Sequence, residues 1–172
     1  LNFIKFVKHL KNYSLIKKKK METKKEIEVL NSLVEINNDR IEGYKNAGEE
    51  TDSNSLKDMF VKFKRTSEIC REQLAEEIRR CGGTPEEGTK TTGKLYRAYM
   101  DLKAAITGKD HKAILNSCEY GEDKALETYE DVLKNDSEDL NINQLNLVKS
   151  QYDMIKKDHD VVKAMRDTEL VS

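Results

Sequence analysis

Apolar residues recur along this chain at three- and four-residue steps, the period that gathers side chains on one face of an α-helix. Ile27, Leu30, Val34, Ile41 and Tyr44 form the first such stripe, opened by the capping-box pattern Thr23-Lys24-Lys25-Glu26 and running to about Thr51. Leu56, Phe60, Phe63, Cys70, Leu74, Ile78 and Cys81 form the second, with Ser55 as its candidate cap and Gly82, Gly83 and Pro85 ending it. Leu95, Tyr96, Tyr99, Leu102 and Ile106 then mark a shorter helix that Gly108 stops. A third long stripe, capped by Asp110 and running to about Asn135, uses Leu115, Cys118, Ala125, Tyr129 and Val132. A fourth carries Leu145, Val148, Tyr152, Ile155 and Val162. No strand-like alternation of useful length appears, so the pattern predicts an all-α fold. Short turns make antiparallel hairpins of the first and second long helices and of the third and fourth. The long connection between the second and third long helices, with its extra short helix, lets the second hairpin cross over the first, which gives an antiparallel four-helix bundle.

Composition agrees with a single domain of long, charged helices: 172 residues, one Pro, no Trp and 37% charged residues. The formal net charge of −1 gives no sign of nucleic-acid binding, but it hides an asymmetry. Residues 1–20 carry seven Lys and no acid, which leaves −8 on the remainder. That segment lacks Met at its start and uses the residues that translated AT-rich non-coding DNA would supply, with Lys17 to Lys20 preceding Met21. Met21 is therefore the expected first residue of the folded domain, 21–172, and residues 1–20 are expected to be disordered or a loose helix. If residues 1–20 are native, Phe3, Val7 and Leu10 among lysines make a basic amphipathic anchor the competing reading, and only then is a membrane partner expected. No stretch reaches transmembrane length, and three cysteines without a C-x-x-C pair fit a reducing compartment, so the expected location is cytoplasmic.

Two motifs imitate chemistry and lack its essentials. Gly88 to Leu95 matches a phosphate loop except that Leu95 replaces the Ser or Thr that meets magnesium, and no strand precedes it. The segment from Asp139 begins like a calcium loop, but Gln144 replaces the turn glycine and Ser150 the bidentate Glu.

Polar residues inside the stripes are more informative. Continuing each stripe lands on Asn37, on Ser67 and Cys70, on Glu122 and on His159, one group per long helix. A seam Asn or Ser commonly sets register, and a seam His is more often hydrogen-bonded core than ligand. Their occurrence in all four helices suggests one shared polar layer. Glu68, Glu72 and Glu76, spaced four apart beside Arg65, Arg71, Arg79 and Arg80, read instead as a solvated face, and Glu119 is also expected to face outward.

The stretch Glu122 to Tyr129 has the E-x-x-A-x-x-x-Y form of rubrerythrin and ferritin-like proteins, and Asn37 to Tyr44 repeats the spacing in the first helix. With "EEIRRCGGTPEEGTKTTGKLYRAYMDLKAAITGKDHKAIL", these stretches closely resemble an uncharacterised bacterial family of ferritin-like four-helix-bundle domains of unknown function, over about Lys24 to Asp167. The resemblance implies the ferritin-like topology and a place for a di-iron centre, built from a Glu on each of two helices and an E-x-x-H pair on each of the other two. Carried onto this chain, those places hold Asn37, Glu122, Ser67 with Cys70, and Lys156 with His159. Only Glu122 and His159 keep a ligand type. The expectation is a bundle without a resident cofactor or enzymatic activity, acting through a homo-oligomer or a protein partner. The alternative is a metal-binding protein or weak redox enzyme that holds iron or zinc on Glu122 and His159, with Cys70 as a further candidate ligand.

Overall fold

A computed structural model describes the backbone of residues 2–89 and 110–169, with side chains from 15–89 and 110–168. Four long helices account for nearly all of it: α1 (Asn2–Glu50), α2 (Asn54–Arg80), α3 (His111–Asn135) and α4 (Ile142–Glu169). The expected short helix at 95–106, the Thr92 cap and most of the phosphate-loop mimic lie outside the described residues. No described helix is long and apolar enough to cross a membrane.

The helix ends follow from local chemistry, with two differences from the sequence reading. Helix α1 passes through Thr23 without a break, so the capping-box pattern opens nothing. Instead Thr23 Oγ1 donates to the Lys19 carbonyl 3.1 Å away, one turn back in the same helix. Residues 2–20 are helical with the rest of α1, and residues 15–22 are exposed. Helix α2 is capped by Ser53 rather than Ser55, its hydroxyl accepting from the Leu56 amide at 3.4 Å. At its other end Gly82 takes φ +76°, and the Gly82 and Gly83 amides return to the Arg79 and Ile78 carbonyls at 3.0 and 2.9 Å, a Schellman closure. Asp110 caps α3 as expected, at 3.1 Å from the Ala113 amide. Residues of the calcium-loop mimic prove to be a reciprocal cap on α4. Asn141 Oδ1 accepts from the Gln144 amide at 3.1 Å, and Gln144 Oε1 accepts from the Asn141 amide at 3.0 Å.

Contacts between helices fix the topology. Residues of α1 meet α3 in opposite order (37 with 129, 40 with 122), and those of α3 meet α4 likewise (129 with 151, 123 with 159). The three-residue turn at 51–53 makes α1 and α2 antiparallel. Helices α2 and α3 therefore run in the same direction, so the end of α2 and the start of α3 lie at opposite ends of the bundle, joined by the 81–110 connection. Its first residues are fastened to α1. Asn31 donates to the Thr84 carbonyl at 3.2 Å and accepts from the Glu86 amide at 2.9 Å, while Asn38 donates to the Gly88 carbonyl at 2.8 Å.

The core is divided. One apolar cluster joins Leu30, Leu33, Leu74, Ile78, Tyr129, Val148 and Ile155. A second joins Tyr44, Phe60, Phe63, Ile114, Leu115 and Val162 nearer the 51–53 turn. Between them lie polar side chains from every helix.

Candidate functional site

Arg40 stands at the centre of this layer with only 4% of its surface exposed. It extends from α1 and grips each of the other three helices. Its Nε and Nη2 donate to Glu122 Oε1 on α3 at 3.1 and 2.6 Å, and Nη1 donates to Ser67 Oγ on α2 at 2.6 Å. Nη2 also lies 3.4 Å from Asp158 Oδ2 on α4. Tyr44, one turn further along α1, donates its hydroxyl to the same Glu122 oxygen, and its ring lies 5.6 Å from the guanidinium. Phe60 and Phe63 pack against that ring with centroids 5.7 and 5.6 Å away. Glu122 Oε2 is buried without a hydrogen-bond partner.

A second polar chain lies beside the first. Asn37 donates to the Tyr129 hydroxyl at 2.7 Å, and that hydroxyl donates to Gln151 Oε1 at 2.9 Å. The Gln151 amide passes on to the Cys70 carbonyl at 3.1 Å and Gln73 Oε1 at 2.9 Å. The two chains are reciprocal. Residue 37 on α1 meets residue 129 on α3, while residue 122 on α3 meets residue 44 on α1, so each seven-residue repeat sends its Tyr to the other's polar residue.

Electrostatics follow from burial. Burial opposes the charge on Arg40, yet Glu122, Tyr44 and Asp158 outweigh it and hold its pKa above the ordinary arginine value. Burial, reinforced by Glu122, keeps the Tyr44 phenol protonated well beyond its usual range, and burial does the same for Tyr129. The Cys70 thiol is pushed up to about 11 and the Cys118 thiol higher still, so both stay protonated near neutrality. Burial also raises the Asp158 carboxyl above its ordinary 3.8, against the pull of Arg40. The native state thus holds the Asp158 proton more tightly than the unfolded chain does. That contribution to stability is complete below pH 3.8 and is lost as pH rises through the raised folded value. Urea midpoints of Asp158→Asn across this interval are expected to decline less with rising pH than those of the wild type.

Of the residues singled out from sequence, Asn37, Ser67, Cys70 and Glu122 do share the interior. His159 takes other company: its ring nitrogens lie 3.0 Å from Asp123 and 3.1 Å from Asp160, towards the rim. Lys156 is half-exposed and pairs with Asp160 at 2.9 Å. The inward residues of α4 are Gln144, Val148, Gln151, Ile155, Asp158 and Val162, so Asp158 holds the place expected for His159. Glu119, expected outside, is buried and paired with Arg166. Glu68, Glu72 and Glu76 form ion pairs with Arg65, Arg79 and Arg80 on the outer face, as expected. Arg40 and Asp158 were missed from sequence, although both fall on unbroken three- and four-residue steps, 37-40-44-47 and 151-155-158-162.

The residues present do not fit a di-iron centre. A guanidinium already holds Glu122 Oε1 and lies 3.4 Å from Asp158 Oδ2, and a metal ion beside it would face a fixed positive charge. Among the described residues, no group of three or more His, Cys, Asp or Glu is placed to hold a metal ion.

Residues 25–135 match a family described as a domain of unknown function, DUF2383. No curated protein matches. Among solved structures, the chain is similar to the DPS protein from Vibrio cholerae O1, described as a member of a broad superfamily of ferritin-like diiron-carboxylate proteins. The TM-score is 0.61 with 15% identity, over 87% of this chain and 91% of that one. The likeness establishes a ferritin-like all-α bundle.

Proposed function

The chain belongs to the DUF2383 family, a domain of unknown function, and on that premise we propose a cytoplasmic helical bundle without redox chemistry of its own, acting through self-association or a protein partner. The observation that carries this reading is Arg40, whose guanidinium ties Glu122, Ser67 and Asp158 together where the superfamily's metal chemistry would need open carboxylates. An interior closed by ion pairs leaves the outer surface as the place of action. Most soluble oligomers are homo-oligomers, so another copy of the chain is the first partner to look for. Elemental analysis of untagged protein after dialysis against a mild chelator, with light scattering on the same sample, tests both halves. The expected result is iron and zinc far below one ion per chain in a species larger than a monomer, or a monomer that co-purifies with a partner. Stoichiometric iron with an oxo-bridged absorption band would overturn the reading. One iron or zinc ion per chain, lost in Glu122→Gln and in His159→Ala, would establish a metal site on those two residues instead.

A further inference from the structure

The buried layer sets two carboxylates, Glu122 and Asp158, against one guanidinium. Glu122 is met unevenly, because Arg40 and Tyr44 crowd onto Oε1 while Oε2 stays buried with no donor. The cation is also supplied asymmetrically. In the internal repeat Ala125 on α3 corresponds to Arg40 on α1, each standing three residues after the seam position and four before the Tyr.

A guanidinium carried by a helix has one property that a bound ion lacks: it cannot dissociate. Two acids converging within the interior of a helical bundle would otherwise attract a divalent cation, because carboxylate oxygens are its preferred ligands. We propose that Arg40 is a tethered cation that occupies the place of a metal ion and closes the Glu122–Asp158 site to divalent cations. Truncating Arg40 removes the fixed charge and leaves Glu122, Asp158 and the Ser67 hydroxyl lining the space it filled. Such a site accepts a hard divalent cation through its oxygens, or a free guanidinium ion through the original hydrogen bonds. The proposal rests on the reading that the native interior holds no metal ion. That reading is tested separately by the metal content of the wild type.

The experiment uses the full chain, with Mn²⁺ as the probe and electron paramagnetic resonance to count free ions. Arg40→Ala is expected to bind one Mn²⁺ at least tenfold more tightly than wild type, and millimolar guanidinium should displace it. The gain should vanish in Arg40→Ala/Glu122→Gln/Asp158→Asn. Should Arg40→Ala fail to fold alone, its helical circular dichroism is expected to recover on refolding with Mn²⁺ or millimolar guanidinium, and the triple variant should not respond. A folded Arg40→Ala with no tighter Mn²⁺ binding would sink the proposal. So would a gain that survives in the triple variant, or an unfolded Arg40→Ala that neither ion rescues.

Discussion

Arg40→Met is expected to destabilise the bundle by about 3–5 kcal/mol near neutral pH, the cost of stranding buried charges by removing their partner. Methionine approximates the length of the arginine stem, so the loss reports the guanidinium more than a cavity. Glu122 and Asp158 would then face each other without a counter-ion, and Ser67 and Tyr44 offer too little to replace it. Removing the stranded charges as well should reverse most of the loss. Arg40→Met/Glu122→Gln/Asp158→Asn is expected to recover more than half of it in urea titrations, since a buried ion cluster contributes far less as a whole than the loss of one member implies. The single variant should also approach wild type as pH falls and Asp158, whose carboxyl burial already raises, takes up a proton. A single variant that matches wild type at neutral pH would show that the guanidinium is not the counter-ion of this layer.

Tyr129→Ala is expected to be comparably severe, and Tyr129→Phe divides the effect into its parts. The ring is fully buried among Leu30, Leu33, Leu74 and Ile155, and emptying that volume costs about 3–5 kcal/mol. Its hydroxyl accepts from Asn37 and donates to Gln151. Phenylalanine fills the space but leaves Gln151 Oε1 without that donor, a loss of about 1–3 kcal/mol. Asn37 is cushioned because its amide also donates to the Leu33 carbonyl at 2.8 Å. Denaturant midpoints for the two variants test this order. If Phe proved as damaging as Ala, the hydroxyl network would outweigh the packing.

The sequence was most legible where packing alone decides. Leu56, Phe60, Phe63, Cys70, Leu74 and Ile78 are all buried on one face of α2, because nothing polar large enough to confuse the period interrupts them. The buried Glu122 was equally visible, since apolar neighbours at Leu115, Ala125 and Tyr129 left it no other face. Arg40 was not visible, because a charged residue next to Asp39 and Glu42 resembles a solvated helix face, and Ile41 offered an apolar alternative one position away. Only a three-dimensional partner makes burial of the guanidinium tolerable, and its partners lie on three other helices. The same ambiguity turned α4 by one residue. The sequence singled out His159 and passed over Asp158, yet α4 presents Asp158 to Arg40 and leaves His159 between two rim aspartates. Helix α1 runs back over residues 2–20, where lysines favour a helix and no cap or breaker marks a start near Thr23.

The fastening of residues 84–88 to α1 changes what the crossover is as a polymer. Counted from Arg80, a long stretch of chain must be closed between α2 and α3 before the hairpins can meet. Asn31 meets the backbone at 84 and 86 as a neighbouring strand would, and Asn38 holds the carbonyl at 88, so the stretch effectively starts after the clamp. The saving in closure entropy is small, because that entropy grows only with the logarithm of length. The larger consequence concerns direction: the chain leaves the first hairpin already laid along α1, the helix on which α3 must dock, so assembly of the two halves becomes a problem of aim more than of reach.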